Sequence, residues 1–186
     1  MDPVVTNEYH DKFRIIPING DVEVGLSVTV REKMLKFFSE DPRKDIELIF
    51  TTEGGRVDEG LSVIDFIQSL TQDPHPMGFK GKIVGTVSGS CESIGVVMLQ
   101  ACGHRRMFKS ALLMVHGPYL TVNEADHTEA EAHVKQLSLI RHTLSNWLAS
   151  RSTKTIDYWM ELMRQHHRIN LSSAEALEWG LIDEVI

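Results

Sequence analysis

Residues 82–99, KIVGTVSGSCESIGVVML, hold the pattern that decides the fold class. Residues 82–87 form a short, almost continuous apolar run with β-branched side chains, which predicts a strand buried on both faces of a sheet. A turn of serine and glycine follows, and the apolar residues 96–99 then begin a helix. A buried strand that passes through a tight turn into an apolar helix is typical of a parallel α/β sheet.

The same kind of apolar run predicts three more strands, at residues 14–18, 46–50 and 112–115. Residues 57–70 lie between two of the strands, and their apolar side chains recur every three or four positions, which predicts an amphipathic helix. Strands and helices alternate without an internal repeat or a Gly/Ser linker. This pattern predicts a single α/β domain with a largely parallel sheet over residues 1–186.

The composition excludes several classes of function. The 186 residues are enough for one domain to bury a core without a metal or a disulfide. The 19 basic and 26 acidic residues give a net charge of −7, and no Lys/Arg block occurs, so binding to nucleic acid or to an anionic membrane is not expected.

The two cysteines, Cys91 and Cys102, form no CxxC motif, and no metal-like cluster of cysteine and histidine occurs. This usage favours a reducing compartment. Charged residues interrupt the N-terminal segment, residues 1–12, and no stretch has the length and apolarity of a membrane span. We therefore expect a cytoplasmic protein with no cofactor and no metal.

A long helix is predicted at residues 123–150, beginning near Asn123 or Glu124. Its apolar side chains form one stripe at helical spacing: Val134, Leu137, Ile140, Leu144 and Trp147. Two interpretations of the stripe are open. Either it packs on the core of its own domain, or the helix projects from the domain and packs against another subunit.

The last predicted helix has clear signals at both ends. Ser172 and Glu175 have the spacing of a capping box, in which each side chain satisfies a free amide of the other residue. Gly180 is placed to end the helix at the C′ position. Before the third strand, the two prolines and the glycine of residues 71–80 predict a surface loop.

Chemically useful residues follow three of the predicted strands, in residues 52–57 (TEGGRV), 88–95 (SGSCESIG) and 114–118 (MVHGP). Each segment alone has a plainer interpretation: a paired-glycine turn, serines that cap a helix, and a structural histidine. Because the carboxyl ends of parallel strands meet at one edge of a sheet, we expect the three segments to lie together. A serine, a histidine and exposed glycine amides at one edge are the parts of an acyl-transfer site.

In this order, the segments resemble the proteolytic subunit of the Clp proteases, the caseinolytic serine peptidase family. The resemblance extends from about Phe13 to the C-terminus. Residues 20–22 (GDV) and 42–46 (PRKDI) resemble the opening of the family, and residues 50–55 (FTTEGG) stand at its Asn-Ser-Pro-Gly-Gly. Residues 89–95 (GSCESIG) stand at Gly-x-Ala-Ala-Ser-Met-Gly, and residues 114–118 at Met-x-His-Gln-Pro. Residues 171–183 (LSSAEALEWGLID) match the closing motif.

Carried over residue by residue, the resemblance implies that Ser93 is the nucleophile and His116 the base. The backbone amides of Gly55 and Ile94 would form the oxyanion hole. The chemistry agrees with these roles, because a hydroxyl at its ordinary pKa is a weak nucleophile that needs an adjacent base. Each preorganised amide donor is worth about 3 kcal/mol of the barrier.

The third catalytic position departs from the family pattern. The family has an Asp three residues before the closing Leu-Ser, where this chain has Arg168, and a cation cannot stabilise an imidazolium. If residues 165–170 contain an insertion, Asn170 is the candidate, because an amide oxygen can hold the histidine tautomer. His167 is a second candidate, and a site without a third residue is also open. Loss of the acid can cost about four orders of magnitude in turnover.

Two acidic residues also depart from the pattern. Glu53 replaces the proline before the paired glycines, and Glu92 replaces an alanine beside Ser93. A carboxylate that faces the site would oppose formation of the oxyanion, whereas one that faces solvent would have no effect. In addition, residues 1–12 lack the Arg/Tyr-Asp-Ile stretch that lines the family's axial pore, which weakens the expectation that an unfoldase docks here.

The resemblance implies the Clp protease/crotonase-like fold, with a parallel-sheet head and a long helical handle. It further implies a serine endopeptidase subunit that cleaves unfolded polypeptides inside a double ring of seven subunits, a homo- or hetero-tetradecamer fed by an AAA+ unfoldase in ATP-dependent proteolysis. The apolar stripe of the long helix, from Val134 to Trp147, would then pack between the two rings.

Two alternatives come from other classes of protein. One is an inactive or weakly active ring subunit, which Arg168, Glu53 and Glu92 favour. The other is a crotonase-like acyl-CoA enzyme, which also uses paired amides but does not need Ser93 and His116.

Overall fold

The computed structural model describes residues 9–71, 79–119, 126–165 and 167–186. The strands are β1 (Ile15–Val22), β2 (Ile46–Gly55), β3 (Ile83–Glu92), β4 (His104–Met107), β5 (Leu112–Val115), β6 (Ile169–Ser172) and β7 (Glu184–Val185). The helices are α1 (Leu26–Glu40), α2 (Val57–Thr71), α3 (Ile94–Gln100), α4 (His127–Arg151), α5 (Ile156–Arg164) and α6 (Ser173–Glu178).

The seven strands form one sheet that divides at β3. The main path runs β1-β2-β3-β4-β7, and every pair along it is parallel. The first part of β3 pairs with β4, whereas its last residues, from Ser90 to Glu92, pair with β5. β5 in turn pairs with β6, and this is the antiparallel pair. The prediction of an α/β fold with a largely parallel sheet is confirmed.

The two faces of β2 are buried to different degrees. In β2, Ile46, Leu48 and Phe50 are fully buried, while Glu47 and Ile49 between them are half-buried. The expectation of strands buried on both faces is therefore wrong for the second face of β2. The predicted amphipathic helix is α2, which buries Val63, Ile64, Ile67 and Leu70 in the core.

β2 and β3 extend further than their apolar runs predict. They end at Gly55 and Glu92 rather than at residues 50 and 87, because the polar residues after each run still pair with a neighbouring strand across a register shift. β4 was not predicted, since its sequence HRRM has no apolar run. One face of β4 carries the buried Arg105, which is held by hydrogen bonds instead of by apolar contacts.

The long helix α4 begins at His127, so the predicted start near Asn123 or Glu124 is too early. Asp126 is extended and caps the helix in a capping box with Glu129. The two halves of the apolar stripe differ in burial: Leu144 is buried in the core, whereas Val134 is 70% exposed. None of the helices in the described ranges is long and apolar enough to cross a membrane.

The end signals of the last helix, α6, are confirmed. Ser172 and Glu175 form both hydrogen bonds of the capping box. Gly180 follows the C-cap Trp179 with a φ of +72°, as expected of a C′ glycine. The loop predicted at residues 71–80 lies for the most part outside the described residues.

Arg105 is buried and connects the C-terminal segment to the rest of the domain; it is 4% exposed. Its guanidinium donates hydrogen bonds to both carboxylate oxygens of Asp183 and to the side chain of Gln100. It also donates to the carbonyls of Arg151 and Gly180. Burial would raise the pKa of Asp183, but the hydrogen bonds and charge of Arg105 outweigh it and lower that pKa.

We predict that Arg105→Met lowers the free energy of unfolding by about 3–5 kcal/mol, because it leaves a partly buried carboxylate and two carbonyls without their donor. Arg106 is the matched control, since it lies next in β4 on the opposite face and pairs with Glu47 at 2.6 Å in a partly exposed position. Arg106→Met should cost about 1 kcal/mol or less. Urea denaturation at pH 7 measures the free energy of unfolding of both variants. Equal losses would contradict the role of Arg105 as the buried connection to the C-terminal segment.

The contribution of the Arg105–Asp183 pair should also depend on pH. Because the pKa of Asp183 is lower in the folded chain than its ordinary value of 3.8, the contribution is complete above that value. It is lost as the pH falls through the lowered pKa.

Candidate active site

A cavity of about 530 Å³ lies at the carboxyl ends of β1, β2, β3 and β5, and α4 and α5 close its far side. Four residues predicted from the sequence line it together: Gly55, Ser93, Ile94 and His116. The expectation that the three polar segments meet at one edge of the sheet therefore holds for these residues. The edge forms because parallel strands end on the same side.

Ser93 occupies the turn between β3 and α3 in a conformation that is uncommon for residues other than glycine. Its φ of 56° and ψ of −124° lie outside the regions that suit a side chain with a Cβ atom. Strain of this kind costs roughly 1–3 kcal/mol and persists only where the surroundings hold it. Here the Ser93 amide donates a 2.8 Å hydrogen bond to the carbonyl of Met114 in β5.

The backbone of Gly54 packs directly against Ser93. A Cβ atom on Gly54 would lie 2.5 Å from the Ser93 Cβ and 2.8 Å from the Glu92 carbonyl oxygen, so no other residue fits without movement. The buried hydroxyl of Thr52 holds this approach: it accepts a hydrogen bond from the Gly54 amide at 3.0 Å and donates to the Gly20 carbonyl at 2.5 Å. The glycine turn and the serine turn are thus one packed unit.

Gly55 and Ile94, whose backbone amides are the predicted oxyanion donors, both line the cavity. Gly55 follows at the end of β2 with a φ of +140°, and a Cβ atom there would lie 2.6 Å from the Val22 carbonyl oxygen. Ile94 is the first residue of α3, so its amide has no carbonyl partner within the helix. The positive end of the helix dipole also lies at this point, which favours negative charge.

His116 is half-buried directly after β5, and its ring is oriented by its own chain. Nδ1 lies 2.7 Å from the Gly117 carbonyl oxygen. A carbonyl can only accept, so Nδ1 carries the hydrogen and Nε2 keeps its lone pair for a proton. Within the described residues, no hydrogen bond joins Ser93 Oγ to His116. Catalytic hydrogen bonds are often long in free enzymes and shorten when substrate binds.

The candidates for the third position do not line the cavity. Asn170 and His167 are both exposed, and neither is bonded to His116 in the described part of the chain. β5 and β6 pair Met114 with Asn170 and Val115 with Ile169. One further step in this antiparallel register sets residue 168 opposite His116.

The two unusual carboxylates have different positions. Glu53 is exposed and lines the cavity beside the glycine turn. Glu92 is half-buried at the end of β3 and is not among the lining residues. Of the two, Glu53 is the one that lines the cavity in which Ser93 lies.

Sequence reasoning missed several lining residues. Asp21 is the next-to-last residue of β1 and Glu23 directly follows the strand, and their place at a strand end is the signal that could have found them. Leu144 and Met163 reach the cavity from α4 and α5. No local motif marks these two, because they are placed by the packing of helices distant in sequence.

The fold and the cavity together define a class of protein: a hydrolase-type α/β domain in which serine, histidine and backbone amides meet at the carboxyl edge of a parallel sheet. A family model described as Clp protease matches residues 5–186. The chain belongs to the Clp protease family, a family of peptidases that generally form oligomeric rings, and it has the fold of that family.

We predict that Gly54→Ala destabilises the fold by about 2–4 kcal/mol, because it adds left-handed strain and a collision with Ser93. Gly89→Ala is the matched control. Gly89 also has a positive φ, of 76°, but a Cβ atom there would make only an ordinary contact, 3.6 Å from the Thr51 side chain. The control should lose only about 1–2 kcal/mol of strain. Urea denaturation gives the free energy of unfolding of both variants. If Gly54→Ala loses no more than Gly89→Ala, the close packing of Gly54 against Ser93 is wrong.

Proposed function

We propose that this chain is the serine endopeptidase subunit of a Clp-type chambered protease. The observation that supports this proposal most directly is the single cavity lined by Ser93, His116, Gly55 and Ile94. Each of these residues also stands at the matching position of the family's motifs. Apolar side chains on the far wall, among them Val97 and Leu144, offer room for an apolar side chain of the substrate.

In the first step, Ser93 Oγ bonds to the carbonyl carbon of the peptide while its proton passes to Nε2 of His116. The carbonyl oxygen becomes an oxyanion, and the amides of Gly55 and Ile94 donate to it. The C–N bond then breaks as His116 returns the proton to the leaving amine. The product of this step is an acyl-enzyme on Ser93 and a free amino terminus.

In the second step, water attacks the acyl carbon and gives its proton to His116. The ester bond to Ser93 breaks, and the proton on His116 restores the serine hydroxyl. The reaction consumes one water and needs no cofactor or metal. The sequence offers Asn170 first and His167 second as candidates for a third member, and a site without a third residue is the remaining alternative.

An inactive or weakly active ring subunit is the second candidate function. Three observations favour it: Arg168 replaces the family's acid, Glu53 places a negative charge at the cavity, and Ser93 is not hydrogen-bonded to His116 in the described residues. A carboxylate near the oxyanion lowers the rate, because it raises the energy of the charge that forms there.

We predict that a fluorophosphonate probe labels the wild-type protein and that Ser93→Ala abolishes labelling and peptide cleavage, because the probe bonds to the activated serine. His116→Gln should slow labelling by at least about a hundredfold, since the base activates the hydroxyl. Ser90→Ala is the matched control, as Ser90 lies three residues earlier, in β3, and does not line the cavity. Quantitative mass spectrometry measures the labelled fraction.

The outcomes separate the two candidate functions. Labelling that survives in Ser93→Ala would remove Ser93 as the nucleophile. A wild-type protein that forms rings but is neither labelled nor active would favour the inactive subunit instead.

We further propose that the chain assembles into a double ring of seven subunits, in which α4 is the handle between rings. The exposed first half of α4 supports this role: Val134 is 70% exposed and Leu139 is 61% exposed, more apolar surface than a helix of a single domain needs. Unfolded polypeptides would enter the chamber through a partner AAA+ unfoldase, and the protease would work in the cytoplasm.

We predict that light scattering after size exclusion gives a particle of about fourteen times the chain mass of 21.0 kDa. Val134→Glu together with Leu139→Glu should reduce the particle to half that mass or less, since burying two unpaired carboxylates at the ring contact is costly. Lys135→Glu, an exposed polar position on the same half of α4, is the control and should keep the large particle. A stable wild-type monomer would contradict the ring.

A further inference from the structure

The group that orients His116 is part of the main chain. The Nδ1 atom lies 2.7 Å from the Gly117 carbonyl oxygen, the distance of a well-formed hydrogen bond. In a triad, a carboxylate or an amide oxygen takes this place and selects the tautomer that leaves Nε2 free. The Gly117 carbonyl selects the same tautomer, because it has no hydrogen to donate.

The Gly117 carbonyl is held in place from both sides. Gly117 is buried, and a Cβ atom on it would overlap the carbonyl oxygen of Met163 in α5, so the backbone is packed tightly against that helix. Pro118 follows, also buried, and its ring restricts the backbone on the other side of the peptide bond. An acceptor fixed in this way can orient an imidazole without a further side chain.

No competing side chain reaches Nδ1 among the residues that the structure describes. The β5–β6 register sets residue 168 opposite His116, and this residue is an arginine, which can donate but not accept. Asn170 and His167 are exposed and line no part of the cavity.

We propose that the site works as a Ser93–His116 dyad in which the Gly117 carbonyl is the positioning group, so that no third side chain takes part. This inference rests on the proposed peptidase function. The carbonyl holds the tautomer and the ring orientation, as the acid of a triad does. It carries no net charge, so it stabilises the imidazolium less than a carboxylate would. The expected result is an active but slow enzyme.

The Gly117–Pro118 bond permits a direct test of the carbonyl. Its amide has no N–H, because the nitrogen belongs to proline. An α-hydroxy acid at position 118 turns this bond into an ester, whose carbonyl is a weaker acceptor. Incorporation of α-hydroxyisovaleric acid at position 118 is compared with Pro118→Val, which has the same side chain and keeps the amide.

The ester protein should have a kcat about three- to tenfold below that of Pro118→Val, as expected for a weakened hydrogen bond. Its KM and melting temperature should match those of Pro118→Val, because the side chain and the packing are the same. Equal kcat values for the two proteins would overturn the role of Gly117.

Single variants of the wild-type enzyme provide a second, independent test. Asn170→Ala and His167→Ala should each leave kcat within about twofold, and the pH dependence of kcat/KM unchanged, since neither side chain orients the base. A loss of more than about tenfold in either variant would overturn the dyad and identify the third member.

These results differ from a failure of the peptidase function itself. A wild-type protein that is neither labelled by the fluorophosphonate probe nor active on any peptide removes both proposals. A labelled and active wild type that loses activity in Asn170→Ala removes only the dyad.

Discussion

The arrangement of Ser93 and His116 at the edge of the sheet depends on the hydrogen bond that joins the end of β3 to β5. The amide of Ser93 donates to the carbonyl of Met114 at 2.8 Å, immediately after the last paired residues of β3. β3 leaves β4 and pairs with β5 at this end of the sheet, so the strand that precedes Ser93 lies beside the strand that precedes His116. Ser93 and His116, the proposed nucleophile and base, therefore lie at neighbouring strand ends because one strand has two successive partners on the same side.

Steric constraint at the neighbouring glycines completes this arrangement. Gly54 lies so close to Ser93 that a Cβ atom has no room, and Gly117 is confined in the same way against Met163. Both contacts remove conformational freedom from the backbone around the cavity. In the proposed reaction this rigidity lowers the cost, because dipoles that are already oriented need not reorganise as charge develops. The strained φ of Ser93 is the corresponding cost to stability.

Much of the fold follows from local sequence signals. The apolar runs predict β1, β2, β3 and β5, and the capping box at Ser172 predicts the start of α6, because these signals act over a few residues. β4 could not be predicted, since the buried Arg105 is stabilised by partners distant in sequence. The start of α4 depends on Asp126, one of several polar residues there that could serve as a cap.

The sequence by itself determined which residue types are available for chemistry: Ser93 after a strand, His116 after another, and paired glycines after a third. It also predicted an α/β fold with a largely parallel sheet, because strand and helix periods are properties of neighbouring residues. Only the tertiary structure decided that Gly55, Ser93, Ile94 and His116 share one cavity, and that Nδ1 of His116 meets the Gly117 carbonyl. Those distances depend on strand register and on helices that pack from far along the chain, which no local pattern encodes.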